Sequence, residues 1–116
     1  MITLNDLQRW QINNLINWCL DVKYYDYKHF SNKEQIEKLS TKALKSLQKL
    51  FESSQEPQDK YDIKLTKFNK EVLCEILDFG IKMGYCDYYH YGFTYTVDKV
   101  EEITKRSLRK ILTVVQ

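Results

Sequence analysis

Apolar residues return at helical spacing along most of the chain. Leu4, Leu7, Trp10, Leu15, Trp18 and Val22 recur in one register, and Ile12, Ile16, Cys19 and Leu20 widen the apolar sector. A sector that wide predicts a first helix covered on more than one side. Thr3 stands where an N-cap would, with Asp6 placed to complete a capping box and to favour the positive end of the helix dipole. Residues 24–30, YYDYKHF, show no period and read as a helix end followed by a connection. Ser31 with Glu34 forms a second capping box, behind which Ile36, Leu39, Ala43, Leu44, Leu47, Leu50 and Phe51 make the apolar stripe of a second helix. The polar run ESSQEPQDK, residues 52–60, holds the only proline and reads as a loop open to proteolysis.

Beyond the loop, Tyr61, Ile63 and Leu65 alternate with charged residues, the pattern of a short strand or an extended lead-in. Thr66 then caps a third helix in which Phe68, Val72, Ile76, Phe79 and Met83 share a face, and Gly84 takes the left-handed position just after its end. In the aromatic stretch YCDYYHYGFTY, residues 85–95, the order Tyr91, Phe93, Tyr95, Val97 alternates with Gly92, Thr94 and Thr96. A period of two predicts a strand with those rings facing inward, and residues 85–89 supply its antiparallel partner through a turn at His90, Tyr91 and Gly92. Asp98 and Glu101 form a last capping box, followed by Val100, Ile103, Leu108, Ile111, Leu112 and Val115 on one helical face. The expected fold is mainly α: a single domain over residues 1–116, with four helices around one core and a short aromatic β-hairpin between helices three and four.

Composition agrees with few, long elements, because three glycines and one proline leave little material for many turns. A chain of 116 residues that is 43% hydrophobic supports one core. Eighteen basic and sixteen acidic side chains leave a net charge of +2, so bulk charge selects no polyanionic partner. Cys19, Cys74 and Cys86 are an odd set without close pairs, which suits free thiols in a reducing compartment. The N-terminus has no basic and apolar leader, and no apolar run approaches membrane-spanning length. These features predict a cytoplasmic protein without a membrane partner.

Cys86 and His90 lie four apart, and Cys74 or His29 are the nearest companions, but the paired cysteine spacing of small zinc domains is missing, so neither metal nor cofactor is expected. No nucleophile elbow, phosphate-cradling glycine loop or H-E-x-x-H run occurs, and the expectation is a protein without catalytic activity. For nucleic acid, Lys38, Lys42, Lys45 and Lys49 form a basic stripe opposite the leucines of the second helix, while Lys105, Arg106, Arg109 and Lys110 cluster on the last. Interleaved Glu34, Glu37 and Glu52 make an ordinary solvated face the simpler account of the first set. The order of helix then hairpin in GIKMGYCDYYHYGFTYTV resembles the recognition helix and wing of winged-helix proteins, and this resemblance implies DNA binding. The chain departs from that family in having no Lys or Arg between residues 83 and 98, where a wing meets the phosphate backbone.

For protein binding, the nine tyrosines concentrate at 24–27 and 85–95. Tyrosine contributes rigid contact area with a polar tip, which makes Tyr24, Tyr25, Tyr27, Tyr85, Tyr88 and Tyr89 the candidate contact residues. The function expected is a small non-catalytic protein-interaction module of the accessory, immunity or inhibitor type found on mobile elements, acting by occupying a partner's surface. The alternative is a nucleic-acid-binding regulator. Exposed rings and an amphipathic last helix are also compatible with a symmetric homodimer.

Overall fold

The structure is a computed structural model that describes residues 1–21, 41–52 and 59–116. Helices take up 74% of the described residues, and a two-stranded antiparallel sheet accompanies them. Strand β1 (Ile2–Asn5) pairs with β2 (Lys60–Ile63), setting Ile2 opposite Ile63 and Leu4 opposite Tyr61. Those four side chains point into the core, while Thr3 and Asp62 pair on the outer face through a 2.6 Å hydrogen bond. Period-two alternation is visible in the sequence at 61–65, and it is present but too short to read at 2–5.

Thr3 is therefore a strand residue and does not cap the first helix. The cap lies two residues on. Asn5 Oδ1 accepts from the Gln8 amide at 2.7 Å, and Gln8 Oε1 accepts from the Asn5 amide at 3.0 Å, a reciprocal capping box that opens α1 (Asp6–Asp21). Asp6 instead accepts from Arg9 and from the Tyr61 hydroxyl. Arg9 is buried and donates to the backbone carbonyl of Phe51 at 3.0 Å, the last residue of α2 (Thr41–Phe51). A guanidinium at that end satisfies a carbonyl without a helical partner and complements the dipole. The buried stripe of α2 is Ala43, Leu44, Leu47 and Phe51, with Leu50 left at the surface. The Ser31–Glu34 box and most of the proline loop lie outside the described residues.

Helix α3 (Lys67–Met83) begins and ends where its caps dictate. Thr66 Oγ1 accepts from the Asn69 amide at 3.1 Å, and Gly84 adopts φ 72°. The Tyr85 amide then reaches the Gly80 carbonyl at 2.9 Å and the Gly84 amide the Ile81 carbonyl at 3.4 Å, which is the Schellman pattern. Helix α3 packs against α1, α2 and α5 (Val97–Val115). Gly80 permits that closeness, since a Cβ there would lie 2.9 Å from Leu15 Cδ1 and 3.3 Å from Leu108 Cδ1. Val72, Leu73, Ile76, Leu77 and Phe79 fill the interior from α3, whereas Phe68 and Met83, expected on the same face, are exposed.

The aromatic hairpin is not formed. Residues 85–96 carry no strand, and in its place stands a one-turn helix, α4 (Tyr88–Tyr91), followed by a turn into α5. Asp87 caps α4, and Thr96 caps α5 by accepting from the Lys99 amide at 3.4 Å, two residues before the expected Asp98 box. Asx and Ser/Thr caps are satisfied within three residues, while a strand needs a ladder partner that this segment lacks. Gly92 suits the turn, because a Cβ there would come within 2.6 Å of the Tyr88 carbonyl oxygen.

Replacing Gly84 by alanine is expected to lower the unfolding free energy by about 1–2 kcal/mol, the cost of a Cβ in the left-handed region. Chemical denaturation measures it, and an unchanged midpoint would contradict the positive φ.

Candidate functional site

Asp87 leads out of α3 into α4 with only 1% of its surface exposed, and its oxygens are fully engaged. Oδ1 accepts from the His90 amide at 3.3 Å, while Oδ2 accepts from Gln11 Nε2 at 3.1 Å and lies 2.6 Å from His90 Nδ1. Its own amide donates to Thr104 Oγ1 at 2.9 Å, and that hydroxyl donates in turn to the Val100 carbonyl at 2.7 Å. Gln11, equally buried, gives its other amide hydrogen to the Tyr91 hydroxyl at 3.1 Å and accepts from Ser107 Oγ at 2.5 Å. One polar knot thus joins α1, α4 and α5, and burial is tolerable because each member has a partner. An aspartate holding a histidine in this way is also how general bases are oriented, but among the described residues no hydroxyl or thiol is hydrogen-bonded to His90 Nε2.

The knot determines where the aromatic side chains go. With the Tyr91 hydroxyl held by Gln11 and α4 capped by Asp87, the chain crosses the end of the helices and presents its rings outward. Phe93 is 99% exposed and Tyr89 73%, with Tyr88, Tyr95 and Val97 also at the surface. The inward face expected for Tyr91, Phe93 and Tyr95 is thereby reversed: Tyr91 alone is half-buried.

Tyr85, expected at the surface, is buried. As the residue after the left-handed glycine it folds back over Gly80 and meets the Trp18 ring at 5.1 Å between centroids. Burial, reinforced by the Asp87 carboxylate, pushes its phenol well above the ordinary range. Tyr88 is exposed, and a hydrogen bond with Cys86 raises its phenol. Tyr24, Tyr25 and Tyr27 lie outside the described residues. Phe93 and Tyr95 were missed as surface residues. The local signal was the residue type of Asp87 and Thr96, each of which favours a helix N-cap by accepting from a backbone amide three residues on.

The basic candidates occupy two separate helices, both packed on α3. Lys42, Lys45 and Lys49 are exposed on α2, and Lys38 lies outside the described residues. On α5, Lys105 pairs with Glu101 at 3.1 Å and Arg106 with Glu102 at 3.2 Å, whereas Arg109 and Lys110 meet no acid among the described residues. Two of the four basic candidates on α5 are therefore locally compensated, which weakens the field offered to a polyanion. Cys19 is sealed in the core, where burial pushes its thiol up to about 12, and Cys74 is raised chiefly by the same cause. Among the described residues no group of three or more His, Cys, Asp or Glu is arranged to hold a metal ion, and no helix is long and apolar enough to cross a membrane.

No family model, curated protein or solved structure matches this chain.

Replacing Asp87 by alanine removes the α4 cap and leaves Gln11 Nε2 and the His90 amide without their acceptor. The expected loss is about 3 kcal/mol of unfolding free energy, accompanied by faster chymotryptic cleavage at residues 88–95. Wild-type stability and cleavage rate would mean that the knot does not hold this segment.

Proposed function

We propose that this chain is a non-catalytic interaction protein of the accessory, immunity or inhibitor type, and that it engages another protein through Tyr88, Tyr89, Phe93, Tyr95 and Val97. The carrying observation is the 99% exposure of Phe93 within a turn that is capped on both sides. Covering a phenylalanine side chain is worth about 2 kcal/mol, a gain that folding leaves unused here and that a partner would collect. The turn is already ordered by hydrogen bonds, so its rings lose little conformational entropy on docking. Clustered aromatic side chains are also the residues that dominate binding energy at protein interfaces.

The exposed α2 lysines, with Arg109 and Lys110, support a second reading as a nucleic-acid-binding regulator. It lacks help from the aromatic surface, which has no Lys or Arg between 83 and 98.

A photo-crosslinking residue placed at 93, in cells of the source organism, should yield a discrete adduct that a residue at 45 does not. Tyr89→Ser should abolish that adduct while changing stability by less than about 0.5 kcal/mol, as surface substitutions do. Absence of an adduct at 93, or one insensitive to Tyr89→Ser, would remove the proposal; an adduct of twice the chain mass would identify the partner as a second copy. For the nucleic-acid reading, binding to single- and double-stranded oligonucleotides across a salt series should show a steep negative log-log slope. No binding at low salt would retire it.

A further inference from the structure

Beside the polar knot, a cleft of about 300 Å³ runs between the first turn of α1 and the middle of α5. Its apolar wall is Leu7 and Ile103, its cationic wall Arg106 and Lys110, and no carboxylate lines it. The remaining lining groups are polar, and their hydrogen-bond roles are already assigned by the fold.

The capping box at the start of α1 engages the oxygens of both its amides, since Asn5 Oδ1 accepts from Gln8 and Gln8 Oε1 accepts from Asn5. Their side-chain amide hydrogens carry no bond and are free to donate to a ligand. The Tyr91 hydroxyl accepts from Gln11, so its own hydrogen is still available to donate. Arg106 uses one terminal nitrogen on Glu102 and keeps its other N–H groups, and Lys110 has no acidic partner among the described residues. Ser107 is the exception, because its hydrogen goes to Gln11 and its oxygen is left as an acceptor.

We propose that this cleft is a binding site for a small organic phosphate, a phosphate monoester carried on a body of about one ring. Lys110 supplies the compensating charge, and Arg106, already paired with Glu102, adds its remaining N–H donors. The amide hydrogens of Asn5 and Gln8 and the Tyr91 hydroxyl donate to phosphate oxygens, and Leu7 and Ile103 cover the body. Ser107 accepts from the remaining P–OH of the monoanion or from a ligand hydroxyl. The size sets the class, since about 300 Å³ is the lower end of small-molecule pockets and leaves little room for a whole nucleotide. Lys110 lines the cleft and Phe93 does not, so the cleft and the exposed aromatic surface can be changed separately.

The test is a titration of the full chain, followed by backbone amide chemical shifts, with phenyl phosphate as the probe and with inorganic phosphate, benzyl alcohol and a 5′-phosphorylated single-stranded oligonucleotide as comparisons. Phenyl phosphate is expected to shift the amides of Asn5, Gln8, Tyr91 and Ser107 saturably, and to bind at least about tenfold more tightly than either inorganic phosphate or benzyl alcohol. Lys110→Gln, an exposed substitution that leaves the fold intact, should weaken binding by about tenfold or more, whereas Lys45→Gln should not change it. The proposal is overturned by the absence of saturable shifts at those four amides, by equal affinity of wild type and Lys110→Gln, or by an oligonucleotide that binds where phenyl phosphate does not.

Discussion

A carboxylate shut away from water must have its lone pairs filled, and Asp87 meets that condition only in one arrangement of three helices. Its carboxylate takes Gln11 from α1 and His90 from the turn that Asp87 itself caps, while its backbone amide donates to Thr104 of α5. Removing any one partner leaves a charge or an amide uncompensated at low dielectric, which is far more costly than the modest net gain of forming the bond. The polar knot therefore acts less as a source of stability than as a constraint on register. It decides that residues 85–97 form a capped turn over the helix ends.

The exposure of the aromatic rings follows from that constraint. Phe93 and Tyr89 are not at the surface because the core rejected them; they are there because hydrogen bonds at Asp87 and Thr96 direct the chain outward. Tyr91 connects the two functional readings. Its hydroxyl is held by Gln11 at the floor of the cleft, while its chain neighbours make up the exposed surface.

A second buried charge organises the opposite side of α1. Arg9 lies between the rings of Tyr61, at 4.5 Å, and Trp10, at 5.1 Å, and its terminal nitrogens reach Asp6 and the Phe51 carbonyl. Cation–π contact and charge-assisted bonds offset its desolvation, although Nε finds no acceptor. Through Arg9 the small sheet, α1 and the end of α2 meet, and the apolar core beneath them is continuous with that around α3.

Much of this was legible from the chain itself. The main stripes of α2, α3 and α5, the Thr66 cap, the Gly84 stop and the alternation of β2 are encoded within a few residues of one another, where helix and strand periods and capping bonds act. On α1 the buried apolar face is Ile12, Leu15, Ile16 and Cys19, whereas Leu7 and Trp10, expected in the main register, are exposed and Leu4 belongs to β1. Tyr85 could also have been placed, because the residue after a left-handed glycine folds back on the helix it ends. The rest depended on partners remote in sequence. Ile2–Asn5 is a strand because Lys60–Ile63 lies beside it, with Thr3 and Asp62 bonded across 59 positions. Asp87 and Gln11 meet across 76, and Ser107 and Gln11 across 96. A local pattern of two in Tyr91, Phe93 and Tyr95 could not reveal those contacts. Burial of polar groups is settled by what the folded chain brings to them, and only the tertiary structure supplies it.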